Sequence, residues 1–371
     1  MLKIRDINTF KELQNLKPTW NDALQKSKDN TVFSTWEWLS CWWKHFGEGR
    51  QLRVLVAQEK EEILGIAPLM LSRYNFMQIG KIAKIEFLGS PHSDYNNFIL
   101  LKNEKECIKL MLEYLMAQPD WDFLQLRDVH NQSQSIKLLH EFHTDEQWKL
   151  EFQEDVVCPY IALPSSFSVF TSNLGPKTRR SILRQMRKLS ETHKVTIKFH
   201  KDFKSIQEAM NILFDIHQKR WVSRGELGAF ASPAIRSFHV DIAREFAEKD
   251  WLYLHFLTVD DSPIASDYSF NYGQKIYGYL DGFDPLFKQY SVGNILKMKL
   301  IEMSIENRLK EFDFTRGYGL HKIHLANAFR KNYQILLARK GLFPRIYGHI
   351  RKNEVLRKAI MKISKPIKLA C

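Results

Sequence analysis

The stretch YGYLDGFDPLFKQYSVGNILKMKLIEMSI, residues 277–305, decides how this chain is read. It opens as a strand, turns through Gly282-Phe283-Asp284-Pro285, and from Val292 takes on the apolar spacing of a long helix. Backbone N–H groups at a helix start have no intrahelical acceptor, and the helix dipole favours negative charge there. A glycine at that point lets an anion approach the backbone closely, so Tyr290, Ser291, Val292, Gly293 and Asn294 form a candidate pyrophosphate loop. An ordinary capped loop–helix junction is the other reading, because Ser and Asn cap helices in general.

Working outward, LYLHFLTV and IASDYSFNY flank Asp260-Asp261-Ser262-Pro263 as a hairpin, KIYGYLDGF adds a third strand, and EFDFTR returns as a strand after the helix. The first half repeats that order. LRVLVAQ and ILGIAPLMLSR make a hairpin, IEFLG and NNFILL read as strands, a helix follows from Glu104, and WDFLQLR closes. Trp121-Asp122-Phe123 with Arg127 parallels Phe312-Asp313-Phe314 with Arg316, which points to an internal duplication. Earlier still, TWEWLSCWWKHFG places its apolar residues at helical spacing and ends on Gly47, where a C-cap belongs. Between the halves, PKTRRSILRQMRKLSETHK is a basic helix, VTIKFH a strand and SIQEAMNILFDIHQKRW an amphipathic helix.

The chain has 371 residues, 44% of them hydrophobic, including 25 Phe, 13 Tyr and 9 Trp, which is material for about two packed domains and argues against disorder. The boundaries are expected at residues 1–173, 174–342 and a basic C-terminal helix or tail over 343–371. Four widely spaced cysteines suit a reducing compartment, and no signal peptide or membrane-spanning run is visible, so a cytoplasmic protein is the expectation. The formal charge of +13 is concentrated. Residues 321–371 hold 13 Lys or Arg against Glu354, and residues 175–201 hold 9 against Glu191. Such segments attract phosphates, nucleic acid or anionic headgroups. The C-terminal segment interleaves Ile350, Leu356, Ile360, Met361 and Ile363 with its cations, a pattern for peripheral contact with an anionic membrane; a solvated tail is the alternative.

These motifs in order resemble a GNAT-like group of bacterial acetyltransferases of the cellulose-biosynthesis-associated, CelD-like type, related to Fem-type aminoacyl transferases. The residues that carry the resemblance are Tyr277-Gly278-Tyr279-Leu280, Gly282-Phe283-Asp284-Pro285, Tyr290-Ser291 with Gly293, and Phe312-Asp313-Phe314 with Arg316-Gly317. WEWLSCWWKHFG, GSPHSDYNNF, PKTRRSILRQ and HQKRW followed by GAF also look like the group. Asp281 and Asn294 depart from its pattern, which has a small residue and a fuller glycine run there. The resemblance implies tandem GNAT folds of α/β class, each a mixed, mostly antiparallel sheet flanked by helices. It further implies acetyl-CoA or another acyl-CoA as donor, held by the loop from Tyr290 to Asn294. A small-molecule or saccharide amine or hydroxyl is then the acceptor. Fem-type relatives use aminoacyl-tRNA, so tRNA is a second candidate partner, with the helix over residues 177–188 to grip it.

Transfer of an acyl group needs a proton acceptor and groups that meet developing charge. Asp281 and Asp284 precede the loop and are candidate bases, with turn formation as their plain role. Arg316 offers a bidentate contact to a carboxylate or phosphate, or a structural ion pair. His217, Arg220 and Trp221 share a helix face, fit either to shape a substrate pocket or to pack a helix end. Asp94 and Tyr95 are candidates for substrate contact from the first half. No metal is expected: the pairs His140/His143 and His321/His324 lack a third ligand.

Overall fold

In the computed structural model, residues 1–76 and 80–342 are described; the basic helix or tail expected over 343–371 lies outside them. Two compact units emerge. The first comprises Met1–Val157 with residues 330–342, and the second Cys158–Phe329.

In the first unit β1 (Lys3–Ile7), β2 (Arg50–Glu59), β3 (Glu62–Phe76) and β4 (Gly80–Phe87) pair antiparallel in that order, with the two-residue β5 (Ile99–Leu100) on β3. A helix, Glu104–Met116, then crosses over to β6 (Phe123–His130), which lies parallel to β4 with Lys84 opposite Phe123. Leu69, Ile85, Phe87, Leu124 and Leu126 of this sheet bury against Met111, Leu112 and Leu115 of the helix. The tryptophan-rich helix Trp36–Phe46 starts on Thr35, whose side chain accepts from Trp38 N, a cap worth about 1 kcal/mol. It ends on Gly47, where an added Cβ would sit 2.5 Å from the Trp43 carbonyl oxygen.

Next in the chain come β7 (Trp148–Ala162), the basic helix Pro176–Thr192, β8 (Val195–Phe199) and the helices Ile206–Val222 and Pro233–Glu248. The second unit then repeats the first. Strands β9 (Leu252–Val259), β10 (Ser262–Tyr272) and β11 (Lys275–Phe283) pair antiparallel, the helix Val292–Glu306 crosses over, and β12 (Glu311–Asp313) lies parallel to β11. Asp260 and Asp261, both at positive φ (50° and 65°), make the β9–β10 turn. Leu257, Ala265, Ile276 and Phe312 bury against Ile295, Leu296 and Ile301 of the helix, and Ile182 and Leu189 of the basic helix join that core. The α/β class, with mixed, mainly antiparallel sheets flanked by helices, is as expected from the sequence.

The division differs from the expected boundary at 173/174 because strands are exchanged between the repeats. The end of β7 pairs with β12, Tyr160 opposite Asp313, and so belongs to the second unit. The last described strand, β13 (Ala328–Arg339), pairs with β6, Leu337 opposite Leu124, and so completes the first.

Candidate functional site

The site is built at the end of β11. There Asp284 leaves the strand and caps a short 3-10 helix, Pro285–Tyr290: its Oδ1 accepts from Leu286 N and its Oδ2 from Lys219 Nζ, each at 3.0 Å. Burial opposes ionisation of Asp284, yet these two donors hold its carboxyl below the usual range. Both oxygens are thereby engaged, one in the turn and one with Lys219.

The chain then enters the long helix through Ser291, held in the left-handed region at φ 54°, ψ 43°. That conformation costs a residue with a Cβ about 1–2 kcal/mol. It aims the Ser291 carbonyl into the helix, where it accepts from Asn294 N (2.9 Å) and Ile295 N (3.2 Å). Val292 and Gly293 are the first two residues of the helix, a position at which backbone N–H groups have no acceptor within the helix. A Cβ added to Gly293 would meet only Phe283 Cδ1, at 3.8 Å, so the backbone there is open.

In front of this first turn lies a cleft of ≈ 310 Å³. Ser291, Val292, Gly293 and Asn294 line one side; Asp281, Gly282 and Phe283 of β11 line another, with Phe314, His321 and Leu325 beyond β12. Four cations reach it, Arg220, Arg224, Lys288 and Lys297, against the single carboxylate of Asp281. Of the expected loop, Tyr290 stands apart: its ring takes Lys188 Nζ at 5.5 Å and the edge of His193 at 6.2 Å, tying the loop to the basic helix.

Arg220 Nη1 pairs with Asp281, and its guanidinium lies 5.0 Å from the Phe283 ring centre. Burial pushes the Asp281 carboxyl up; Arg220 chiefly, then Lys297, His321 and Lys322, outweigh it and hold the carboxyl far below the usual range. A carboxylate so firmly ionised is a poor proton acceptor near neutrality, and Asp281 is better suited to positioning Arg220. Lys297 is itself buried and paired with Asp267 of β10, which also accepts from Ser269 Oγ. Breaking such a pair by removing one partner is costly, because the other charge is left buried alone.

The remaining expected residues separate. His217 and Trp221 share a face with Arg220 but turn inward: Trp221 Nε1 donates to His217 Nε2 at 2.8 Å, and His217 packs edge-on to Phe230 at 4.8 Å. Burial lowers His217 to about 4, so it is neutral. Gly282 has no Cβ because one would sit 2.8 Å from the His217 Cα, so the helix touches β11 directly. Arg316 is half-buried outside the cleft lining, and its carbonyl accepts from Lys322 Nζ at 2.8 Å. Asp94 and Tyr95 belong to the first unit and are buried there; Asn332 Nδ2 donates to the Asp94 carbonyl at 2.9 Å, and Tyr95 packs edge-on to His130. In the same loop Trp38 Nε1 donates to Ser93 Oγ and Trp42 Nε1 to His92 Nδ1, both at 2.9 Å, a structural lock.

Sequence reasoning missed His321 and Lys297. Lys322 Nζ gathers the Phe314 and Arg316 carbonyls (2.7 and 2.8 Å) and folds the following turn so that His321 reaches the cleft wall. Its ring lies over Gly319, where an added Cβ would fall 2.6 Å from His321 Cε1. Desolvation lowers the His321 pKa; Asp281 opposes this, while Lys322, Arg220 and Lys297 reinforce it, so the imidazole is neutral at pH 7. Lys297 did carry a signal: a lysine on the apolar face of a buried helix requires an anionic partner, and Asp267 stands in an otherwise buried strand. Among the described residues no group of three or more His, Cys, Asp or Glu is placed to hold a metal ion.

Residues 176–322 match the model of an acetyltransferase (GNAT) domain. No curated protein matches the sequence. Among solved structures, FemX is similar over 90% of this chain and 96% of its own, with a TM-score of 0.61 at 10% identity. A conserved protein of unknown function from Bacteroides thetaiotaomicron covers 91% of this chain with all of its own, at TM-score 0.54 and 12% identity. L-PGS from Bacillus licheniformis covers 87% of this chain with 91% of its own, at 0.52 and 12%. At such identities the likeness is one of fold, and together with the domain match it gives this chain a GNAT-type transferase fold.

Proposed function

We propose that the second unit is an acyltransferase that moves an acyl group from a coenzyme A thioester directly to an amine or hydroxyl. The observation that carries this is the first turn of the helix Val292–Glu306, free of acidic side chains and open at Gly293, facing a cleft rich in cations. The residues fit a pyrophosphate: Val292 and Gly293 offer backbone N–H groups, while Lys288 and Arg224 supply charge. The thioester supplies the activated acyl carbon. His321, neutral at pH 7, accepts the proton the acceptor sheds as its new bond to that carbon forms and the carbon–sulfur bond breaks, and the leaving thiolate takes up a proton. Arg220, fixed by Asp281, meets negative charge in the cleft.

The acceptor is an amine or hydroxyl of a small molecule, sugar or polysaccharide precursor, as the motif resemblance suggests. The thiols of Cys41, Cys107 and Cys158, buried and outside any disulfide, support placing the enzyme in the cytoplasm. Calorimetric titration with acetyl-CoA and longer acyl-CoAs tests the donor assignment. Micromolar binding is expected, and Gly293→Trp should remove it by filling the open turn. No binding by any acyl-CoA would overturn the assignment.

One observation favours a second donor. Lys177, Arg180, Arg184 and Arg187 line one groove of ≈ 760 Å³ along the basic helix, and Lys188 links that helix to Tyr290 of the loop. A polyanion such as aminoacyl-tRNA fits this surface, and the fold likeness to FemX is in keeping with it. Reversing the charges of Arg179, Arg180 and Arg184 then abolishes transfer, and wild-type affinity falls steeply with salt.

A further inference from the structure

Large apolar side chains left in water are informative when they gather in one place. Apart from the terminal Met1, the five most exposed among the described residues are Leu227 (79%), Leu286 (79%), Tyr318 (70%), Leu320 (69%) and Val222 (61%). All five belong to the second unit, and each sits within three residues of a side chain that lines the cleft. Val222 lies between Arg220 and Arg224, with Leu227 just beyond; Leu286 precedes Lys288 in the short 3-10 helix; Tyr318 and Leu320 precede His321. Three separate segments, the end of a helix with the turn after it and the stretches after β11 and β12, thus carry bare apolar side chains close in sequence to residues that line the cleft.

The cations accompany them. Arg224 and Lys288 are exposed at this rim, and Lys219 keeps 58% of its side chain in water while bonded to Asp284. An interface of anionic headgroups over acyl chains fits apolar tips beside cations, because it takes Leu and Tyr side chains below the headgroups and pairs Lys and Arg with phosphates.

We infer that the mouth of the cleft seats on an anionic bilayer surface, so that the acceptor is drawn from amphiphiles resident in that surface. This rests on reading the cleft as the transfer site, and it assigns to that site a substrate class. It places the contact on the catalytic unit itself, separately from the basic segment 343–371.

The test is flotation of the full chain with vesicles of phosphatidylcholine and phosphatidylglycerol at about 3:1, against phosphatidylcholine alone, for wild type and for Leu227→Ser/Leu286→Ser/Leu320→Ser. None of the three lines the cleft, so acetyl-CoA titration of the variant reports that the fold and donor site persist. Wild type is expected to float with the anionic vesicles only, and the variant to partition at least about tenfold more weakly with unchanged acetyl-CoA affinity. Failure of wild type to bind overturns the inference. So does a variant that floats as wild type does, since the contact then resides elsewhere, in segment 343–371 or in a surface that takes a protein. Loss of acetyl-CoA binding in wild type would instead strike the donor assignment and leave the vesicle result to be read by itself.

Discussion

The two units begin their crossover helices in the same way and end with opposite electrostatics. Asn103, before Glu104–Met116, stands at φ 48°, ψ 39°; Ser291, before Val292–Glu306, stands at φ 54°, ψ 43°; neither side chain makes a cap bond. The strand order around both helices is also the same, four antiparallel strands (β1–β4 and β8–β11) and then a parallel one. The first turns differ. In the first unit it reads Glu104-Lys105-Glu106, with Glu104 paired to Lys28 at 3.1 Å and Lys105 to Glu141 at 2.8 Å. Its field is felt next door, where burial first and then Glu106 and Glu104 push the Cys107 thiol up to about 11. In the second unit the turn reads Val292-Gly293-Asn294, with no acid. The repeated arrangement thus presents a helix start twice, and the three residues after the cap decide whether the protein's own carboxylates stand there or the turn is left open, as the proposed donor site requires.

The sharpest way to break this comparison is to block both turns alike. Gly293→Trp is expected to leave no measurable acyl-CoA binding, whereas Lys105→Trp, at the matching position of the first unit, should leave affinity unchanged. Equal losses in calorimetry would mean that the donor does not sit where the helix starts. Next in size is His321→Gln, which should lower kcat by roughly 10²–10⁴-fold and remove the acid limb of the pH–rate profile. Because the folded pKa is lowered, that limb lies below the ordinary histidine value near 6.5. An unaltered limb in the variant would release His321 from its role.

Acid should also part the two units. Burial chiefly lowers His217 and His255 of the second unit to about 4. The unfolded chain therefore binds more protons between pH ~6.5 and 4, and the second unit loses stability as pH falls through that window, by about 3 kcal/mol per histidine at pH 4. Asp6 and Asp29 of the first unit run the other way: burial raises them, so their contribution is present at low pH and lost as pH rises. Hydrogen exchange near pH 4.5 should show the second unit opening first, and simultaneous opening would contradict this.

Local pattern made much of this legible in the sequence. Alternation and turn residues marked the β2–β3 and β9–β10 hairpins, and the glycine after Ser291 marked the open helix start. The exchange of β7 and β13 was not legible, since Tyr160 meets Asp313 and Leu337 meets Leu124 across separations that no window spans. Asp281 and Asp284 were named as bases from position alone, and the partners that bear on their ionisation, Arg220 and Lys219, lie about 60 residues earlier. His321 was weighed only as half of a possible metal pair and set aside, because the bond from Lys322 to the Phe314 and Arg316 carbonyls, which turns it to the cleft, has no sequence signature.

The finest test converts one first turn towards the other. Asn294 and Glu106 hold the same position after the cap, so Asn294→Glu gives the second unit the charge the first already carries. Two effects of opposite sign should follow from the same carboxylate. Interaction with the helix dipole stabilises the fold by about 0.3–1 kcal/mol, read as a small rise in the denaturant midpoint. Repulsion of a pyrophosphate at the same N–H groups weakens acyl-CoA binding by about tenfold, or about 1.4 kcal/mol. The reverse change, Glu106→Asn, should cost the first unit a similar fraction of stability yet create no acyl-CoA site, because the matching N2 position is Lys105, engaged with Glu141, rather than an open glycine. Acquisition of binding by Glu106→Asn would show that the dipole alone makes the site; its absence, with the loss in Asn294→Glu, would show that the open backbone and the cations of the cleft are needed as well.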